Sequence, residues 1–218
     1  QNGWAVGNGG TILATKDGGK KWYPQTRSTN ARRNNTNARL NSITFIDTNR
    51  GWVAGGGIFS ERVILATEDG GKTWQRQNSG TTRGLNNITF DTDAKHGWVV
   101  GSGGTILATK DGGRTWHQQA SGADREFNSI TFNTDAKYGW AAGENGTILA
   151  TSDGGKTWYS QTSGLDKDPT TRDYDKGLHS IIFIDAQHGW VVGFNNILAT
   201  VDGGKTWQRQ SRENYQSI

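Results

Sequence analysis

Five aspartates recur at equivalent places in this 218-residue chain: Asp17, Asp69, Asp111, Asp153 and Asp202, each inside the pattern Thr-x-Asp-Gly-Gly-x-x-Trp. Five carboxylates at one fixed spacing would suit a ring of metal or catalytic sites. Their neighbours point to another use. An Asp followed by two glycines builds a tight turn, the carboxylate accepting turn N–H bonds and a glycine taking the positive φ that a side chain resists. The spacing of five residues from Asp to Trp22, Trp74, Trp116, Trp158 and Trp207 never changes. These ten residues are therefore read as five copies of one structural hairpin, the tryptophans buried behind it.

Two other stretches could do chemistry. Residues 27–39 hold four arginines, Arg27, Arg32, Arg33 and Arg39, and no acid, and the segment containing Phe59, Glu61 and Arg62 is expected beside them. Guanidinium groups bind carboxylates or phosphates through planar, multidentate hydrogen bonds. This cluster, with Phe59, is the candidate partner-binding site, suited to an acidic protein or peptide; a solvated Asn/Arg loop is the competing reading. Residues 166–175 carry Asp166, Asp168, Asp173 and Asp175 among cations. Calcium takes such oxygen ligands, but the spacing matches no known loop, so no metal or other cofactor is assigned.

Catalytic sets are hard to assemble. The histidines (His96, His117, His179 and His188) are scattered, and His96 and His188 fall in a turn just before Gly-Trp. A glycosidase needs two carboxyl groups flanking the scissile bond, and Glu61, Asp124, Glu126 and Glu144 form no repeated pair. The chain is read as a non-enzyme, with a glycoside hydrolase as the alternative. A multivalent lectin is a further alternative. Its aromatic platforms would come from Tyr23, Tyr159, Phe59, Phe127, Tyr174 and Phe194, because the tryptophans are committed to repeat positions.

The elements that must position these residues follow from the repeats. Gly-Trp-x-x-Gly recurs at Gly3, Gly51, Gly97, Gly139 and Gly189, and with the hairpin Trp accounts for all ten tryptophans. Asn-Ser-Ile-Thr-Phe or a variant ends at Phe45, Phe90, Phe132 and Phe183. Each unit has the length and β-branched or aromatic content of a strand, and turn residues separate them. One repeat thus reads as strands A (Asn-Ser-Ile-Thr-Phe), B (Gly-Trp), C (Thr-Ile-Leu-Ala-Thr) and D (Thr-Trp-Gln-Arg-Gln), with almost no helix. A four-stranded meander cannot bury both faces alone, whereas several arranged radially can. The expected fold is all-β, a single five-bladed β-propeller over residues 1–218. Its blades are expected near 1–26 plus 213–218, 38–79, 84–121, 126–163 and 177–210, residues 213–218 closing the ring as the first blade's inner strand.

The D–A connection is long between Trp22 and Phe45 and between Trp158 and Phe183, and the B–C connection is long in the second repeat. All these insertions fall on one face of an up-and-down meander. Variable loops on a rigid scaffold commonly carry binding, so that face is the candidate interface.

Composition bounds the rest. There is no cysteine, so no thiolate or disulfide chemistry, and no methionine, so Gln1 is expected to follow a processing event or the boundary of a longer chain. The formal charge of +4 is small and the basic loop lacks interleaved aromatics, which disfavours nucleic acid. No apolar run is long enough to span a bilayer, and no signal peptide is expected within the residues given.

The string Gly-Trp-Val-Val-Gly-x-x-Gly-Thr-Ile-Leu-Ala-Thr-x-Asp-Gly-Gly-x-Thr-Trp resembles the repeats of the photosystem II stability and assembly factor family. More widely it is similar to the Asp-box (BNR-type) propellers, which include sialidases, xyloglucanase-like glycosidases and sortilin receptors. The resemblance covers nearly the whole chain. It implies a propeller with structural Asp-boxes and a non-enzymatic assembly factor that binds proteins in part through an arginine-rich surface. It also implies an extracytoplasmic location, in the thylakoid lumen or periplasm. The family is similar to a seven-bladed ring, whereas five repeats are present here.

Overall fold

The computed structural model describes residues 1–25, 38–57, 60–165 and 176–210. Alternation of β-branched and aromatic residues with Gly-rich turns gives five antiparallel meanders. The first has three strands, β1 (Gly3–Val6), β2 (Ile12–Thr15) and β3 (Tyr23–Pro24). The second has four: β4 (Leu40–Phe45), β5 (Gly51–Gly57), β6 (Ser60–Thr67) and β7 (Gln75–Gln77). The third comprises β8 (Leu85–Phe90), β9 (Gly97–Gly101), β10 (Ile106–Thr109) and β11 (His117–Gln118). The fourth comprises β12 (Phe127–Phe132), β13 (Gly139–Gly143), β14 (Ile148–Thr151) and β15 (Tyr159–Gln161). The fifth comprises β16 (Leu178–Phe183), β17 (Gly189–Gly193), β18 (Ile197–Thr200) and β19 (Gln208–Arg209). Two short 3₁₀ turns, Asn8–Gly10 and Glu144–Gly146, interrupt the strands.

Strand D is shorter than expected. It starts after the hairpin Trp rather than at the Thr before it, because that Thr is held in the turn by the Asp carboxylate. The expected pairing of residues 213–218 with the first sheet lies outside the described residues.

The core sits between sheets, not within one. Trp98, Val100 and Ile106 of the third sheet, for example, pack on Phe127, Ile130, Ala141 and Leu149 of the fourth. At each of the four seams the strand-B Trp stacks on the Phe of the next sheet: Trp4 on Phe45, Trp52 on Phe90, Trp98 on Phe132 and Trp140 on Phe183, with centroids 3.5–3.7 Å apart. That Phe then meets its own sheet's hairpin Trp edge-on, near 6 Å. Each strand-B indole also donates its N–H to an Asp-box glycine carbonyl of the next sheet, at Gly70, Gly112, Gly154 and Gly203. The apolar pattern thus drives association, while the hydrogen bond fixes the angle.

A register shift in strand A sets the inner edge. Between Leu40 and Ser42, Leu85 and Asn87, and Phe127 and Ser129 one residue is extra, as in a β-bulge, which re-aims a side chain. The freed Asn41, Asn86 and Asn128 amides donate to the carbonyls of Leu85, Phe127 and Leu178 in the next sheet, at 2.8–2.9 Å. One position on, Ser42, Asn87 and Ser129 accept the backbone N–H groups of Ile88, Ile130 and Ile181. The inner edges that an open sheet would leave exposed are therefore tied from sheet to sheet.

Candidate functional site

Each Asp-box carboxylate is consumed by its own turn. In all five copies the preceding Thr hydroxyl donates to Asp Oδ1 at 2.8 Å. The same hydroxyl accepts the N–H of the second glycine, with Gly113 at 2.9 Å from Thr109. In four copies the Thr before Trp donates its N–H to Oδ1 and its hydroxyl to Oδ2, as Thr115 does on Asp111 and Thr157 on Asp153. In the first copy Lys21 supplies only its N–H to Asp17. Both glycines have positive φ, 74° and 87° at Gly112 and Gly113. Among the described residues no group of three or more His, Asp or Glu is arranged to hold a metal ion.

These bonds hold the carboxylates in their charged form. For Asp111, partial burial pushes the pKa up and is outweighed by the Thr115 and Thr109 hydrogen bonds, leaving it at about 2 against an ordinary 3.8. Asp153 is lowered to about 2 chiefly by the Thr157 hydroxyl, and Asp202 to about 2 chiefly by the Thr206 hydroxyl. A carboxyl whose pKa falls on folding adds stability that is present above its unfolded pKa and is lost as pH drops through its folded pKa. Acid unfolding followed by tryptophan emission is thus expected between 3.8 and about 2. Asn at the five Asp-box positions should make stability less steep with pH across that interval, Asp47 and Asp185 retaining part of the slope.

The variable-loop face is built from the B–C and D–A connections. Arg39 and Arg62 come together there: the Arg39 carbonyl accepts the Gly56 N–H at 2.7 Å, and Gly56 lies against Arg62 Cα. The close approach requires Gly56, whose φ is 123° and whose added Cβ would fall 2.8 Å from that atom. Arg76 pairs with Glu61 and donates to the Arg62 carbonyl. The Arg62 Nε is buried with no acceptor among the described residues. Arg27, Arg32, Arg33, Phe59 and the 166–175 loop lie outside the described residues.

Two further arginines belong to this face that sequence reading missed. Arg83 abuts the B–C turn at Gly103, and the Arg125 carbonyl accepts the Gly104 N–H. Both side chains are exposed. The signal was present, since each stands just before a strand A as Arg39 does. Of the acids, Glu126 accepts the Asn86 amide and Asp124 sits beside Arg125. His96 and His188 bond Asp91 and Asp185 within A–B turns on the opposite side. Of the aromatics considered as sugar platforms, Phe127 is fully buried and so cannot serve; Tyr23, Tyr159 and Phe194 are exposed. Tyr159 borders a recess of about 430 Å³ between the fourth and fifth sheets, with Tyr138, Gln161 and Lys205.

Radial sheets, seams of Trp on Phe, and carboxylates spent on turns define a β-propeller of Asp-box repeats, with its free polar chemistry on the loop face. The chain belongs to the family described as Photosynthesis system II assembly factor YCF48, which it matches over residues 1–82 and again over 77–170. It is 35% identical over 75 residues to the chloroplastic photosystem II stability/assembly factor HCF136 of Oryza sativa subsp. japonica. That match covers 34% of this chain and 17% of the rice protein, so the chain spans only a small part of that relative. Among solved structures, YCF48 from Cyanidioschyzon merolae superposes with a TM-score of 0.66 at 20% identity, over 93% of this chain and 66% of the other. A structure described as YCF48 bound to D1 peptide gives 0.50 at 20% identity, over 96% and 77%. The GH74 enzyme of Niastella koreensis gives 0.74 at 14% identity, over 94% and 35%. At these identities the superpositions show the shared fold.

Proposed function

We propose that this chain is a non-enzymatic assembly scaffold that captures a protein or peptide on its variable-loop face, in an extracytoplasmic compartment such as the thylakoid lumen or periplasm. The observation that carries the reading is the Arg62 guanidinium, whose buried Nε donor has no acceptor among the described residues, beside exposed Arg39. A buried, unmatched donor is costly, and a carboxylate from a partner would satisfy it. Family membership and the peptide held by the related YCF48 support the same reading. Arg27, Arg32 and Arg33 are assigned to the same interface on sequence grounds.

Replacing Arg32, Arg33 and Arg39 with alanine should weaken capture of an acidic peptide by about tenfold or more. The melting temperature should stay unchanged; calorimetric titration reads the first and thermal unfolding the second. Equal affinity of the variant would remove the arginines from the interface. The glycosidase reading has the propeller fold of the GH74 enzymes behind it and would be established by turnover of oligosaccharides. The lectin reading has the Tyr159 recess, and a glycan array decides it.

A further inference from the structure

The recess between the fourth and fifth sheets has a counterpart between the second and third, and different side chains stand at matching positions of the two. In each, strand C and the start of strand D of one sheet face the A–B turn and Asp-box of the next, on the side away from the variable loops. The recess of the second and third sheets, about 710 Å³, is lined by the charged groups of Arg50, Glu68, Lys95 and Arg114, with Gln75 beside them. In the fourth and fifth sheets Tyr138, Ser152, Gln187 and Lys205 take those places, and Tyr159 takes that of Gln75. Elsewhere the two tyrosine positions hold Asn2 and Tyr23, His96 and His117, or His188 and Gln208. The pair of rings is therefore particular to one seam.

This recess is aromatic, balanced in charge and has an uncommitted amide. Tyr159 is 61% exposed, so its ring is open to a ligand. Tyr138 is half-buried and steadied by Lys137, whose Nζ lies 5.2 Å from the ring centroid. Asp202 accepts the hydroxyls of Thr206 and Thr200, and the Lys205 ammonium offsets its charge. Gln161 differs from its counterpart Gln77, whose Oε1 accepts the Trp116 indole N–H at 3.3 Å and whose Nε2 donates to the Gly112 carbonyl at 3.4 Å. Gln161 Oε1 and Trp207 Nε1 are both buried and, among the described residues, neither has a hydrogen-bond partner. Both lie near Gly204, 3.1 and 3.3 Å from where a Cβ on it would stand. An acceptor and a donor side by side suit a hydroxyl, which serves both at once.

We propose that the recess between the fourth and fifth sheets is a single binding site for a neutral saccharide built of pyranose rings with equatorial hydroxyls. Such a ring carries its hydroxyls around the rim and only C–H groups on its two faces, and the electron-rich face of an aromatic ring attracts C–H groups that stack on it. Tyr159 is the platform and Tyr138 the flanking wall. The amides of Gln161 and Gln187 and the Ser152 hydroxyl supply donors and acceptors at the rim. The volume of about 430 Å³ falls among small-ligand pockets, which run from about 300 to 1,000 Å³. Balance of charge favours a neutral ligand over a uronate or a phosphate. The assignment narrows the lectin alternative to one seam instead of five equal pockets, and it does not depend on capture of a peptide by the arginines of the opposite face.

The test uses the full chain and cellobiose, a neutral disaccharide with every ring substituent equatorial. Calorimetric titration should give saturable one-to-one binding with a dissociation constant on the order of 1 mM, as suits a small ligand with few contacts. Saturation-transfer NMR should place the ring C–H protons of the sugar against the protein. Tyr159→Ala should weaken binding by at least about tenfold at an unchanged melting temperature, since the ring is exposed, and Tyr159→Phe should restore it. Tyr23→Ala, at the same repeat position of the first sheet, should bind as the parent does, and so should Arg39→Ala on the loop face. No saturable binding by the full chain overturns the proposal. So does binding that ignores Tyr159→Ala, that is lost equally in Tyr23→Ala or Arg39→Ala, or that is tighter for methyl β-glucuronide than for cellobiose. A proline-rich peptide that binds at Tyr159 where cellobiose does not overturns it as well.

Discussion

Trp140→Ala should lower the unfolding free energy by about 4 kcal/mol, the range for truncating a buried aromatic. The indole is 1% exposed, stacks on Phe183 at 3.5 Å and donates to the Gly203 carbonyl at 2.9 Å. Truncation opens a cavity at a seam whose walls are strands tied to two sheets, so they cannot collapse into it, and it strips a buried carbonyl of its donor. For a chain of this length the melting temperature should fall by roughly 10 °C. Trp190→Ala, at the corresponding position of the fifth sheet, should cost under about 1.5 kcal/mol, because the exposed ring has much less contact to lose. Calorimetry on the two variants compares them directly. Equal losses would mean that stability does not come from the Trp–Phe seams.

The second large effect belongs to a glycine. Gly97→Val places a Cβ 2.5 Å from the Phe90 ring, and that ring cannot retreat, since Trp52 lies stacked 3.7 Å away and Trp116 meets it edge-on. Overpacking of this kind costs about 3 kcal/mol. Gly3→Val, at the same repeat position, should be within about 1 kcal/mol of neutral: valine favours strands and the nearest heavy atom is the Thr15 methyl at 3.1 Å. Guanidinium denaturation separates the pair. Equal destabilisation would show that the glycines serve the backbone and not the aromatic ring.

Much of the molecule was legible in one dimension. The Asp-Gly-Gly turns, strands B and C and the one-sided insertions follow from short-range chemistry. A turn's hydrogen bonds lie within four residues, as from Asp111 to Thr115, and strand periodicity lies within six. The arginines at 39 and 62 were found because both flank long connections. Arg83 and Arg125 were passed over because they flank short connections, although each stands before a strand A as Arg39 does; the approach of the B–C turns at Gly103 and Gly104 brings them to the same face.

By itself, then, the sequence determined the repeat, its turns and its all-β class, because those depend on each residue and its near neighbours. Only the tertiary structure decided which tryptophans are sheltered. The indole of Trp4 finds its acceptor 66 residues on and that of Trp98 finds its own 56 residues on, across a seam that exists only once two separate sheets have packed. Ten tryptophans that look alike in the repeat therefore differ in fate: Trp52, Trp98 and Trp140 are buried while Trp22 and Trp190 are exposed, since burial depends on which rings and strands the fold brings against each indole.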